Sequence, residues 1–301
     1  MSEPAIEQLC LQWFQDSGWN YAYGPDISPG SDTPEREDAS QVVLRQRLRD
    51  AVTRLNPHLP ENAIAEVVDI VTTPNSPNLI TNNYTFHKYL LEGVSVEFTN
   101  TEGEQEFDRA QLIDFQTPSN NNFLVVNQCA IAGTQRLRYP DIIAFVNGLP
   151  LAVIELKNPT DENADIWQAY HQLQTYKSEL SDLFVYNEAL VISDGVNARV
   201  GSLTASQEWF LPWRAIRHED DQPKLEYELE KIARGFFAPD LFLDYIRQFI
   251  IFEQDGDSQI KKIAGYHQFH GVREAVRVTL IAAQPKEMKQ GRLREPRATY
   301  G

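Results

Sequence analysis

Pro140-Asp141-Ile142-Ile143-Ala144-Phe145-Val146-Asn147-Gly148-Leu149-Pro150-Leu151-Ala152-Val153-Ile154-Glu155-Leu156-Lys157-Asn158-Pro159 is the stretch from which the fold is read. Two apolar runs, 142–146 and 149–154, flank an Asn-Gly pair, a strong short-range signal for a β-hairpin. Both runs are apolar at nearly every position, so the strands are expected to be covered on both faces. Asp141, Glu155 and Lys157 stand out against that background, because unpaired charge is costly to take out of water.

Parity decides whether the three can meet. Residues 155 and 157 share one face of their strand. A two-residue Asn-Gly loop pairs Val146 with Leu149 and Asp141 with Ile154, which puts Asp141 on the face opposite Glu155. A three-residue loop, 146–148 with Gly148 left-handed in a bulge, pairs Phe145 with Leu149 and returns Asp141 to the face of Glu155 and Lys157. One shared site therefore requires the longer loop. Two carboxylates and the main-chain carbonyl of Leu156 suit Mg²⁺, which takes oxygen ligands and keeps some waters. The ammonium would orient a water and offset developing charge. A salt bridge at a strand end is the plain alternative.

Pro140-Asp141 followed by Glu155-Leu156-Lys157 resembles the PD-(D/E)xK core of restriction endonucleases. That resemblance implies an α/β (α+β) fold with a mixed sheet flanked by helices, with Asp141, Glu155 and the Leu156 carbonyl as metal ligands and Lys157 as the water-orienting group. Downstream, a helix is expected over 161–180, and Gln172 and Tyr176 form an i,i+4 pair at the edge of its apolar stripe. Gln-x-x-x-Tyr just after the Glu-x-Lys strand resembles nucleases attached to DNA motors, particularly the restriction subunit of type I restriction–modification enzymes. There it assists cleavage, so Gln172 and Tyr176 join the expected site.

A first helix over 3–17, capped by Ser2, carries the stripe Ile6, Leu9, Cys10, Trp13 and Phe14. Glu3 and Glu7 fall at the stripe's edge, where acids also favour a helix N-terminus electrostatically. Similar nucleases carry an acidic metal ligand on this helix, and the resemblance assigns that part to Glu7. Further helices are expected over 39–56, 60–71 and 78–91, and strands over 94–99, 105–107 with 112–115, 122–131, 188–193 and 198–203. Arginines 45, 47, 49 and 54 make the most basic patch of the first half, read as a solvated face or a phosphate contact. The run Phe242 to Glu253 reads as one helix with an apolar end.

Near the C-terminus Tyr266-His267-Gln268-Phe269-His270 opens a helix and resembles the adenine-reading Q element of superfamily 2 helicase motors, with Gln268 hydrogen-bonding ATP's adenine. The segment G-x-x-x-x-G-K-[ST] of such motors does not occur. The chain is thus expected to be the amino-terminal part of a longer subunit, with a nuclease domain over 1–234 and a mainly helical motor beginning over 235–301. The tail 286–297 is expected to be ordered only by the continuation.

Composition bounds the setting. The 301 residues carry a formal net charge of −16. An acidic surface repels the phosphate backbone, so a local basic groove or other polypeptides must grip DNA. No apolar run approaches the roughly 20 residues of a membrane span, the start lacks a signal-peptide pattern, and Cys10 and Cys129 read as buried thiols. A cytoplasmic protein without membrane contact follows. The function implied by the resemblance is Mg²⁺-dependent hydrolysis of double-stranded DNA, coupled to ATP-driven translocation, with methyltransferase and specificity subunits as partners. The alternatives are a catalytically silent module docking on a methyltransferase complex, and a free-standing DNA-repair nuclease.

Overall fold

The computed structural model describes residues 2–99, 103–157, 166–217, 227–256 and 258–283. In chain order the first half gives α1 (Glu3–Asp16), β1 (Asn20–Tyr23), α2 (Arg45–Leu55), α3 (Glu61–Thr72), α4 (Leu79–Glu92), β2 (Val94–Thr99) and β3 (Gln105–Ala110). There follow β4 (Phe123–Asn127), the short β5 (Ile131–Ala132) and β6 (Leu137–Arg138), β7 (Ile142–Val146), β8 (Leu149–Leu156), α5 (Ile166–Glu179) and α6 (Ser181–Phe184). The remainder is β9 (Ala189–Ser193), β10 (Ala198–Gly201), β11 (Leu211–Pro212), α7 (Glu228–Lys231), α8 (Pro239–Gln248), β12 (Ile250–Asp255), β13 (Ser258–Ile263) and α9 (Tyr266–Ala283).

The centre is a seven-stranded mixed sheet in the order β1-β4-β7-β8-β9-β10-β11, flanked by helices. β1 runs parallel to β4 and β8 parallel to β9, while the other neighbours are antiparallel. Strands β4, β7, β8 and β9 are buried at every position, as their unbroken apolar runs require. The crossover from β8 to β9 is made through α5, which packs on both strands.

The hairpin at the centre differs from its expected form. Asn147 (φ 52°) and Gly148 (φ 82°) make a two-residue turn, and Val146 pairs with Leu149. The expected three-residue loop is absent. The extra residue lies inside β8: Phe145 pairs with Pro150 and Ala144 with Ala152, so Leu151 is a β-bulge. Pro150 has no N–H to give the ladder, which suits a position beside a bulge. The Leu151 carbonyl is satisfied from the other side, accepting the Glu188 N–H at 2.6 Å. Register then pairs Ile142 with Ile154, so Asp141 comes opposite Glu155 and on its face.

Several other boundaries move. α2 starts at Arg45, not 39, because 42–44 are irregular and buried, with Leu44 N–H donating to the Gly148 carbonyl at 2.9 Å. The strand expected through 131 stops at Asn127, since Gln128 takes a left-handed conformation (φ 52°). The strand expected over 112–115 does not form, and β1 was not anticipated. The apolar end of the expected helix after 242 is instead β12, whose β-branched Ile250 and Ile251 pair with β13. Cys10 and Cys129 are buried thiols. Residues 158–165, 218–226 and the tail 286–297 lie outside the described residues.

The β12–β13 ribbon is fastened to the sheet by a buried cation. Lys261 Nζ donates to Glu188 Oε2 at 2.9 Å, to the Asn187 carbonyl at 2.6 Å and to Asn83 Oδ1 at 3.1 Å, and all of it is out of solvent. His87 Nδ1 lies 2.9 Å from the same carboxylate oxygen. Burial pushes the Glu188 carboxyl up, but Lys261 and His87 outweigh it and hold the group below the ordinary carboxylate range. Removing one partner of such a pair strands the other charge, whereas removing both does not. Lys261→Met should therefore lower stability by about 3 kcal/mol or more in chemical denaturation, and adding Glu188→Gln to that variant should restore part of it. A Lys261→Met protein as stable as the native one would contradict this account of the ribbon.

Candidate active site

The β8 bulge brings three expected residues together at the C-terminal end of the strand. Asp141 Oδ2 accepts the Leu156 N–H at 2.7 Å. Lys157 Nζ donates to Glu155 Oε1 at 2.8 Å and to the Leu156 carbonyl at 3.1 Å. Asp141 and Glu155 are 8% and 1% exposed, and Glu155 Oε2 is buried with no hydrogen-bond partner. That orphaned oxygen is the strongest local evidence of a cation seat, because an unpaired buried acceptor is costly. Two carboxylates and a main-chain carbonyl fit a hard divalent ion such as Mg²⁺. The ammonium of Lys157 rests on two of those candidate ligand atoms, Glu155 Oε1 and the Leu156 carbonyl.

Glu7 is close by but differently engaged. Its Oε1 accepts from Asn127 Nδ2 at 2.5 Å and its Oε2 from Gln128 Nε2 at 3.0 Å. Among the described residues no three Asp, Glu, His or Cys groups converge on one metal position. Glu3, half-buried on the preceding turn of α1, acts electrostatically on both Asp141 and Glu155, while Glu7 acts on Asp141. Gln172 Nε2 donates to the Tyr176 hydroxyl at 2.7 Å, and that hydroxyl reaches the Tyr139 carbonyl at 3.4 Å, next to Pro140-Asp141. Burial, then the charge of Glu155, pushes the Tyr176 phenol up, so it stays neutral.

Other expectations fall elsewhere. Gln268 is exposed on the first turn of α9, and its Oε1 accepts the Gly265 N–H at 2.9 Å as a helix cap; it shares no hydrogen bond with the acid cluster. The arginine patch is internally paired: Arg45 with Asp69, Arg47 with Glu35, and Arg49 with Glu61, while Arg54 donates to the Asn120 carbonyl. Three residues around the site escaped the sequence reading: Tyr21, Asn127 and Gln128. The signal for the last two was present, a polar pair interrupting the apolar run from Phe123 to Ile131.

With that geometry in place, comparison places the chain. The model of the type I restriction enzyme R protein N terminus matches residues 1–209, and the chain belongs to that family. It is 47% identical over 290 residues to the type I restriction enzyme HindI endonuclease subunit of Haemophilus influenzae, covering 95% of this chain and 27% of that protein. It is 29% identical over 294 residues to the putative type I restriction enzyme MjaIXP endonuclease subunit of Methanocaldococcus jannaschii, covering 91% of this chain and 27% of that one. The chain thus spans about a quarter of the length of these curated relatives. Among the described residues no helix is long and apolar enough to cross a membrane.

Burial, opposed in part by the Leu156 N–H and Lys157, pushes Asp141 up to about 7. Burial first, then the charge of Asp141, pushes Glu155 up to about 8. Between about pH 4 and these values the unfolded chain has released both protons while the folded pair keeps them, so metal-free stability falls as pH rises through that window. In calorimetry with chelator, native Tm should drop by about 5 °C more than that of Asp141→Asn/Glu155→Gln between about pH 5 and about pH 8.5. Parallel curves would show that the pair does not hold these protons.

Proposed function

We propose that this chain is the nuclease portion of a type I restriction enzyme subunit, a PD-(D/E)xK core that hydrolyses DNA phosphodiesters with Mg²⁺. The observation that carries the reading is the buried, orphaned Glu155 Oε2 beside Asp141, the Leu156 carbonyl and Lys157. Bound Mg²⁺ would supply Lewis-acid polarisation of a phosphate oxygen. Asp141, its Oδ2 fixed by the Leu156 N–H, and Glu155 would hold that ion. Lys157 would leave Glu155 for the phosphate, orienting the attacking water and offsetting developing charge. Gln172 and Tyr176, a hydrogen-bonded pair anchored at the Tyr139 carbonyl, would position the DNA strand against the acids. Glu7 supports from α1.

The proposal extends to the whole subunit. Residues 1–234 form the nuclease unit, and 235–301 begin the motor, where Gln268 contacts the adenine of ATP once its cap on Gly265 is released. Cleavage is then coupled to ATP-driven translocation by the remainder of the subunit, and methyltransferase and specificity subunits recognise the double-stranded DNA in the cytoplasm. The internally paired arginines and the charge of −16 favour one other reading, a silent docking module that leaves DNA to its partners.

Plasmid cleavage with Mg²⁺ and ATP, by the full-length subunit assembled with its partners, separates the two. Asp141→Ala and Lys157→Ala should each slow cleavage at least about a hundredfold while leaving assembly and ATP turnover intact. Equal cleavage by all three proteins would leave the docking module as the function.

A further inference from the structure

The corner at Asn127–Gln128 is built with unusual care for a strand end. Gln128 is not glycine, yet it sits at φ 52°, a conformation that costs an L-residue energy and persists only where its surroundings impose it. The turn that follows β1 presses on it: a Cβ on Gly24 would lie 2.5 Å from the Gln128 carbonyl oxygen and 2.6 Å from that of Asn127. The turn carries the Gln128 N–H to the Asp141 carbonyl at 3.3 Å. Its side chain meanwhile donates to Glu7 Oε2, and Asn127 donates to Glu7 Oε1. The Asn127 amide is itself oriented, its Oδ1 accepting from the Tyr21 hydroxyl at 3.1 Å.

One backbone corner thus ties the acid on α1 to the strand end that bears Asp141. Both donors to Glu7 are neutral amides. They fix its carboxylate without cancelling its charge, as Lys or Arg would. Each carboxylate oxygen keeps a second acceptor direction. With both oxygens already engaged, and no third acid converging on Asp141 and Glu155, Glu7 is suited to hold a water of the cation rather than the cation itself.

The geometry points to Asn127 and Gln128, aligned by Tyr21, as positioning residues that clamp Glu7 as an outer acceptor for the hydrated divalent ion at Asp141 and Glu155. This inference rests on the nuclease reading of that acid pair. It assigns Glu7 a different part from direct ligation, and it makes Gln128 matter for its amide as well as for its turn.

The two roles of Gln128 separate in one substitution. Gln128→Gly accepts the left-handed turn better than glutamine does but deletes the amide donor. Gln128→Asn keeps an amide on a residue that also tolerates the turn. Calorimetric titration of the 301-residue chain with Mg²⁺ alone, beside metal-free thermal melts, reads both effects. Gln128→Gly should melt no lower than native protein yet bind Mg²⁺ about tenfold more weakly, the usual cost of losing an outer-layer partner. Glu7→Gln should lose a similar factor, and the double variant should lose no more than Glu7→Gln alone. Gln128→Asn should bind more tightly than Gln128→Gly. Native affinity in either Gln128→Gly or Glu7→Gln, or losses that multiply in the double variant, would overturn the clamp. Asp141→Ala in the same series guards the premise: if it too binds Mg²⁺ as native protein does, the acid pair is not the cation site and the nuclease reading fails with it.

Discussion

A single extra residue in a buried strand decides which charged side chains of this protein meet. Without the bulge at Leu151, the two-residue turn at Asn147-Gly148 would set Asp141 against Ile154 and turn it away from Glu155. With it, two carboxylates share a face, and Lys157, two residues on, joins them. The bulge is held on both sides. Pro150 has no N–H to give a ladder, and the Leu151 carbonyl takes its bond from Glu188 at the head of β9. Glu188 is in turn held by Lys261 from the C-terminal ribbon, so a distant part of the chain buttresses the strand that carries the site.

Placing acids in such a strand has an electrostatic consequence. Glu3 and Glu7 add their charge to that of Asp141 and Glu155, Lys157 opposes it, and the protein answers the excess in two further ways. Burial raises the carboxyls of Asp141 and Glu155 above the ordinary range, and Glu7 accepts from two amides. Neither device pairs Glu155 Oε2, which stays buried without a hydrogen-bond partner.

Much of this was legible in the sequence, for reasons that differ residue by residue. The Asn-Gly turn and the apolar central strands leave local signatures, the Gln172–Tyr176 pair is marked only by its place after the Glu155-x-Lys157 strand, and one shared site required by parity an extra residue in the hairpin. Its location was not legible, because a strand buried on both faces has no alternation in which a slipped register would show; Pro150 was the only hint. Gln128 ended β4 in a conformation usually announced by glycine, so the strand looked longer than it is. At 42–44 an apolar run consistent with a helix instead bends against the hairpin turn, where Leu44 donates to the Gly148 carbonyl. Ile250 and Ile251 seemed to continue α8 until their ribbon partner, β13, was in place. Each miss traces to a tertiary contact that no local window contains.

The most direct test of the account is the position of a cation. Crystals of the chain soaked in Mn²⁺ would locate it by anomalous scattering. The account predicts a peak within coordination distance of Asp141, Glu155 and the Leu156 carbonyl, with Lys157 Nζ moved off both of its present acceptors. A difference map without that peak at saturating Mn²⁺, and with Lys157 still bonded to Glu155 Oε1, would contradict it.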